Sequence, residues 1–508
     1  MPSISLKPSL AEFRELAKQG NLIPVCTELI ADAETPVYAF QKMDDGGSCF
    51  LLESVEKSDQ AGRYSFVGSH PRLTFESRGR QIRITENGQV REYTTEGDPL
   101  QELEALMGRY RFVHSPAAGE SRFLGGAVGY LSYDMVRFFE PTIAPPPKDE
   151  LGLPEMLFLI ADSVLIFDHR TRRLRIVSNA FVETDEVEAA YAKAEQSIRR
   201  IADRLAAPSQ LPRLFVDCDA PVLPPASNTA PEDYMAMVRN GLEYIRAGDV
   251  FQFVPSQRFE TDYAGDALTL YRSLRFVNPS PYMFCLKFGG GAEASPQFAL
   301  VGSSPEVHVR AMNGQVEIRP IAGTKRRGKT EEEDEANAQA LLADPKERAE
   351  HLMLVDLARN DVGRIANFGT VRVTDFFTIE KYSHVMHIVS NVVGELRADK
   401  TAYDVMRATF PAGTVSGSPK VRAMQVINEL ERSKRGVYAG AVGYFGFDGN
   451  HDSCIALRTV VLKDGKAYVQ AGAGVVADSL PEAEHQECVN KAMGMMAAIA
   501  RAKAESAH

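Results

Sequence analysis

Apolar and polar positions alternate with period two on either side of three dipeptides. QIRIT and VREY flank Asn87-Gly88, HVRAM and VEIRPI flank Asn313-Gly314, and TVVLK and AYVQA flank Asp464-Gly465. A period of two places one side-chain row on each face of a strand, and Asn-Gly or Asp-Gly accepts the positive φ of a tight turn. Each segment therefore reads as an antiparallel hairpin. Other stretches carry a helical period: the run ending in AKAEQSIRRIADRL, and YMAMVRNGLEYIRAG, which Thr229 and Glu232 open as a capping box and Gly248 closes. Strands and helices do not alternate around a Gly-rich turn, so the chain reads as α+β and not as doubly wound α/β. GGAVGYLSYD at Gly125 is echoed by AGAVGYFGFD at Ala439, a hint of two related sheets. Between Ala206 and Pro231 stand Pro208, Pro212, Pro221, Pro224, Pro225 and Pro231, a linker that divides a region 1–225 from a region 226–508.

Composition narrows the function classes. The 508 residues are 44% hydrophobic and 25% charged, ordinary for a globular protein with a sizeable core. A net charge of −11 without a basic stripe opposes nucleic acid and anionic membrane as partners. Cys26, Cys49, Cys218, Cys285, Cys454 and Cys488 form no Cys-x-x-Cys pair, which argues against zinc and a disulfide framework and for a reduced, cytoplasmic setting. The N-terminus lacks an apolar h-region, and MLFLIADSVLIF is too short to span a bilayer and contains Asp162. An anionic substrate would need local positive charge or a metal.

Glu347 with Glu350, in KERAEHLMLVDLARND, and Glu484 with Glu487, in PEAEHQECVNKAMG, are carboxylate pairs one helical turn apart. Members at i and i+3 share a helix face and can address one point, where a hard divalent cation such as magnesium accepts oxygen ligands. Glu-x-x-Glu also occurs on solvated faces. Here the apolar stripe His351, Leu352, Leu354, Val355 and Leu357, and the residues Cys488, Met493, Met495 and Met496, put each pair beside a buried face. Between the pairs, Gly413, Thr414, Ser416, Gly417 and Ser418 precede a helix starting near Pro419, where successive backbone N–H groups can hold an anion, or form only a turn. Gly472-Ala473-Gly474 ends the strand AYVQA and permits close approach of another group, or marks a bulge. There is no Gly-x-Ser-x-Gly elbow and no cysteine in an activating context, so the chemistry is metal-assisted and acid/base. His387 alternates with apolar residues on a predicted strand, which leaves a core histidine and a site residue both open.

Taken together, PIAGTKRRG, ERAEHLMLVDLARNDVGRI, SHVMHIVSNVVGEL, GTVSGSPKVRAMQVI, YAGAVGYFGFDG and QAGAGVVADSLPEAEHQE resemble the chorismate-utilising enzymes, most closely their anthranilate synthase branch. LLES and RYSFVG extend the likeness towards the N-terminus. The resemblance implies large antiparallel sheets packed as a sandwich with helices outside, the N-terminal and chorismate-binding regions interleaved. It implies Mg2+ bound by Glu350 and Glu487, with Glu347 and Glu484 holding its waters. It implies catalytic roles for Glu306, as general acid to the leaving ring hydroxyl with a pKa raised by burial near other carboxylates, and for His387 and Thr414. Gly323, Thr324, Tyr438, Arg458, Gly472, Ala473, Gly474 and Lys491 would contact substrate, Arg458 and the glycine N–H groups sharing the pyruvyl carboxylate.

Within the family, Ala322 stands where aminodeoxychorismate synthases carry a lysine nucleophile, and Gln252 where the isochorismate branch carries a water-activating lysine. The implied reaction is amination of chorismate by ammonia, then pyruvate loss to give anthranilate. Aminodeoxychorismate synthase and a non-catalytic ligand-binding regulatory subunit are the alternatives. Pro255, where relatives have an aliphatic residue, implies an edge or a bulge. With no glutaminase motif on the chain, ammonia would come from a separate glutamine amidotransferase subunit in a heterotetramer of two large and two small subunits. Leu52, Glu53, Ser54, Pro281, Tyr282 and Met283 would bind tryptophan as feedback inhibitor.

Overall fold

The three predicted hairpins form, closing at Glu86↔Gln89, Met312↔Gln315 and Lys463↔Lys466. Their turn residues take the left-handed conformation: φ is 50° and 76° at Asn87 and Gly88, 51° and 79° at Asn313 and Gly314, 51° and 74° at Asp464 and Gly465. The computed structural model describes residues 4–506 except 55–61, 116–118, 120, 147, 184–185, 217–219, 223, 290–296 and 383–384.

Among the described residues the strands build two large antiparallel sheets. The first, of eleven strands, runs Leu22–Ile30, Arg173–Phe181, Ser163–Asp168, Tyr64–Ser69, Cys49–Glu53, Tyr282–Phe288, Phe298–Ser304, Thr459–Lys463, Lys466–Gly472, Ser256–Asp262, Ala226–Ser227. The second, of twelve, runs Ile321–Arg326, Val385–Glu395, Gln315–Ile318, Val307–Met312, His451–Ile455, Ala441–Gly446, Gly126–Leu131, Met156–Ala161, Leu73–Arg78, Gln81–Glu86, Gln89–Thr94, with Arg372–Lys381 also on Val385–Glu395. Strands from both sides of the proline-rich segment are neighbours in each: Cys49–Glu53 pairs with Tyr282–Phe288, and Gly126–Leu131 with Ala441–Gly446.

Alternation along the strands sorts side chains into layers. Phe284, Leu286 and Phe288 join Tyr130, Leu157 and Tyr444 between the sheets, while Met283 and Cys285 face the helices Val187–Ala206, Pro231–Arg246, Ala267–Val277 and Pro481–Ser506 on the outside of the first sheet. Ala127 and Leu131 face Pro99–Met107 and Ala402–Thr409 outside the second. The result is the α+β sandwich with helices outside.

Two expectations are corrected. The echoed GAVGY segments lie in one sheet, not two, paired directly with Gly129 opposite Gly443. The helix Pro231–Arg246 is opened by Ala230 with no side-chain cap, because Pro231 takes the first helical position and the Thr229 hydroxyl donates to Asn228 instead. The segment after Ala206 is pinned: Tyr38 bonds the Ser209 carbonyl, Gln41 donates to that of Gln210 and Arg501 to that of Val216.

Candidate active site

Glu306 sits where the chain leaves the first sheet at Ser304 and enters the second at Val307. The Ile455 N–H donates to its carbonyl, and the Ser304 hydroxyl bonds the Ile455 carbonyl at 2.6 Å. Its side chain, 6% exposed, is pushed up to about 8 by burial, against the opposing effect of hydrogen bonds from the Thr414 hydroxyl and the Ile321 backbone. Burial alone raises it; other carboxylates do not contribute, contrary to the expectation. Thr414 lies in the short 3-10 turn Gly413–Val415, 2.7 Å from Oε1 of Glu306. A Cβ on Gly413 would stand 2.2 Å from Leu357, so the turn packs tightly on the helix Pro345–Gly363. The backbone N–H groups of Val415 and Ser416 are spent on the carbonyls of Ala412 and Gly413, so they do not offer the expected anion nest.

The strand Ile321–Arg326 bulges between Ala322 and Thr324, where Gly323 takes φ 68°. A Cβ there would meet Oε2 of Glu347 at 3.0 Å, which places Gly323 beneath the first carboxylate pair. The Gly323 carbonyl, an acceptor only, lies 3.0 Å from Nδ1 of His387, with Thr324 Oγ1 also at 3.0 Å. Nδ1 therefore carries the proton, and burial lowers the pKa, leaving Nε2 a neutral acceptor.

Gly472 ends its strand opposite Ser256. A Cβ there would stand 2.5 Å from the Pro255 carbonyl and 2.9 Å from the Tyr438 hydroxyl, so only glycine fits. Pro255 lies between the separate strands Gln252–Phe253 and Ser256–Asp262, an interruption in place of the expected edge or bulge, and its carbonyl accepts from Ala473 and Tyr234. That bond takes up the Ala473 N–H, which is not free for a substrate anion. The Gln252 amide nitrogen lies 2.7 Å from the Cβ position of Gly474. Arg458, at φ 46°, reaches Asn278 at 3.4 Å.

The helix Pro345–Gly363 is capped by Asp344, and both it and Pro481–Ser506 carry acids in their first turns, where the helix dipole favours negative charge. Burial raises Glu347, Glu350 and Glu484 above the ordinary carboxylate value, and Glu487 adds repulsion to all three. The pairs from the two helices thus face a common region. Lys491 binds Glu487 at 2.7 Å and the Gly472 carbonyl at 3.1 Å, while Lys346 lies 3.8 Å from Glu350. Among the described residues no three His, Cys, Asp or Glu side chains are drawn close enough to hold a metal ion as they stand. Even so, an all-carboxylate donor set and an Oε2 on Glu484 that is buried without a partner among the described residues fit a hard divalent cation. Beside the pairs His351 and Val355 are buried, but Leu352 is exposed, a departure from the expected stripe.

Leu52, Glu53, Ser54, Pro281, Tyr282 and Met283 line a different cleft, because Met283 pairs with Glu53 and Phe284 with Leu52. Glu53 is held by Tyr271, Ser65 and Arg275, and the Tyr282 hydroxyl donates to Asp452 at 2.6 Å.

Sequence reasoning missed Arg435 and Glu431. Buried Arg435 donates to Glu431 and to the carbonyls of Val415 and Val254, and stacks over Tyr133 and Tyr438; Glu431 accepts from Ser256. The pair ties the Thr414 turn to the walls around Gly472. Its only signal is two charges at i,i+4 next to Tyr438.

A buried acid, a neutral histidine and two facing carboxylate pairs on a two-sheet sandwich define the class. The family profile for the chorismate binding enzymes matches residues 47–497, and the chain belongs to that family of enzymes. Anthranilate synthase component 1 of Acetivibrio thermocellus is 48% identical over 500 residues, 97% of this chain and 99% of that protein. That of Aquifex aeolicus is 46% identical over 497 residues, 98% of each. The crystal structure of anthranilate synthase component I from Streptococcus pneumoniae TIGR4 superposes with TM-score 0.75 at 38% identity, covering 92% of this chain and 98% of that one. No helix among the described residues is long and apolar enough to cross a membrane.

Proposed function

We propose that the chain is the large subunit of an anthranilate synthase, turning chorismate and ammonia into anthranilate, pyruvate and water. The observation that carries the reading is Glu306, an acid buried at the corner where one sheet passes into the other, which keeps it protonated near neutral pH. A carboxyl of this kind gives its proton to the ring hydroxyl as that group leaves and the C–O bond breaks. Ammonia forms the new C–N bond on the ring carbon next to the one that bears the carboxylate, and the ring double bonds shift towards the carbon that loses the hydroxyl. Ala322 brings no amine of its own to compete. Elimination then removes a ring proton, for which the neutral Nε2 of His387 is the acceptor, and expels the enolpyruvyl group as pyruvate. Arg458 pairs with the pyruvyl carboxylate, supported by the close backbone at Gly472 to Gly474 and by Tyr438. Glu350 and Glu487, with Glu347 and Glu484 behind them, would hold Mg2+. When bound, the ion supplies charge neutralisation for the ring carboxylate.

Ammonia requires a donor. Every described cysteine is buried, and burial raises the thiols of Cys26 and Cys488 to about 11 and those of Cys49, Cys285 and Cys454 well above the ordinary thiol value, the reverse of an activated glutaminase nucleophile. Cys218 lies outside the described residues. We place glutamine hydrolysis on a separate amidotransferase subunit, in a complex of two large and two small chains. The cleft at Leu52 to Ser54 and Pro281 to Met283 would take tryptophan, inhibiting by binding the low-activity state better.

The purified chain is incubated with chorismate, Mg2+ and ammonium. Anthranilate and pyruvate, lost with EDTA, are expected, and glutamine in place of ammonium should give no product. An aminated product that keeps its pyruvyl group would replace this reading with aminodeoxychorismate synthesis, and unchanged chorismate would replace it with a binding subunit.

A further inference from the structure

A cleft outside both sites is walled by Arg272, Arg275, Arg501, Phe276, Val37 and Val216 and shares no residue with the cleft around Ser54. Two of its cations have donors without a partner among the described residues: Nη1 of Arg272 and Nε of Arg501 are buried with no hydrogen bond there, and Arg501 is 8% exposed. Arg501 uses Nη1 on the Val216 carbonyl at 3.0 Å, and its Nη2 lies 3.8 Å from Glu505. Arg272 feels Asp266 and Glu505 only at a distance, and burial lowers it despite them. Of the acids that border the cleft, Glu34 is bound by Lys42 and Asp168 by Arg63 at 3.0 Å, while Asp32 also lines it. Arg275 is engaged by Glu53 at 3.3 Å.

Buried guanidinium nitrogens without partners are costly, and here the two groups that carry them adjoin apolar surface that is left in water. Phe276 is 55% exposed and Val216 69%, and the Arg501 guanidinium lies 4.6 Å from the Phe276 ring centre. An occupant that satisfies both features is a flat apolar body bearing one anionic group. We propose that this cleft is a binding site for a small aromatic carboxylate, its carboxylate taken by Arg272 and Arg501 and its ring laid on Phe276 and Val216. The site is independent of the reaction proposed above.

The probe is 4-fluorobenzoate, followed by fluorine NMR on the full chain. Saturable binding is expected to persist in Arg458→Met, which removes the carboxylate partner proposed for the substrate site. It should weaken by about tenfold or more in Arg272→Gln, the scale of a lost charged hydrogen bond. Phe276→Ala, a change at an exposed position that leaves the fold intact, should weaken it by roughly threefold through lost stacking. Absence of saturable binding, or binding that Arg458→Met abolishes while both cleft variants retain it, overturns the proposal. Displacement by an equal concentration of inorganic phosphate overturns its aromatic half.

Discussion

The Thr414 hydroxyl donates to Oε1 of Glu306 at 2.7 Å, joining a turn packed on the first carboxylate helix to the corner where one sheet passes into the other. This bond favours the ionised carboxyl and so holds down a pKa that burial drives up. If the protonated form is the active one, kcat/KM of the free enzyme falls as pH rises through about 8. Thr414→Val removes the restraint and should move that alkaline limb up by about half to one pH unit. A pH series of initial rates decides it, and an unmoved limb would assign the ionisation to another group.

The same burial makes stability depend on pH. Below the ordinary carboxylate value Glu306 is protonated both folded and unfolded, so no penalty applies. Between about 4.5 and about 8 only the unfolded chain ionises, and the fold loses stability as pH rises; above about 8 the loss is constant. Glu306→Gln cannot ionise. It should melt close to the parent at pH 5 and several degrees above it at pH 8.5, while losing activity by about two orders of magnitude or more.

Gly472→Ala puts a methyl group against the Pro255 carbonyl and the Tyr438 hydroxyl. Neither can retreat freely, since one is backbone and the other belongs to a buried ring. A stability loss of about 1–3 kcal/mol in urea unfolding is expected, with a raised KM for chorismate.

Lys491 competes with any cation for Glu487, its pair being half in water. Lys491→Met should tighten Mg2+ binding in calorimetry without substrate by roughly threefold, the modest scale of an exposed ion pair. Glu350→Gln should weaken it. Unchanged Mg2+ affinity in both would remove the metal from these helices.

Ser54 accepts from the Gly62 N–H at 3.0 Å at the mouth of the cleft it shares with Tyr282 and Met283. Ser54→Phe fills that cleft and should raise the half-inhibitory tryptophan concentration by about tenfold, the cost of a lost well-packed contact, with uninhibited activity kept. Inhibition unchanged by the substitution would move the feedback site elsewhere.

The hairpins were legible because period two and an Asn-Gly or Asp-Gly turn are local signals, and all three turns adopt the backbone that those residues favour. The two carboxylate pairs were legible as pairs, by their spacing. Their facing one another depends on where two helices separated by more than a hundred residues dock, which no local pattern encodes. Glu306 carried no local mark either. Its flanking serines and proline describe a turn, and only the crossing between sheets makes that turn a buried one. The capping box failed because Pro231, fixed at a helical φ, took the first position and left Thr229 outside. Arg435 and Glu431 resemble any i,i+4 surface pair until the packing removes them from water.

The pairing of Gly126–Leu131 with Ala441–Gly446 also governs the order of events during synthesis. The earlier strand emerges with its partner edge open and waits for roughly three hundred further residues before that edge can close, and Cys49–Glu53 waits similarly for Tyr282–Phe288. A nascent chain stalled before residue 441 therefore displays an apolar strand edge with no partner, a template for association with its own copies. The catalytic corner is completed only after the last strands arrive, so fragments ending earlier should gather as aggregates and not as partly active enzyme.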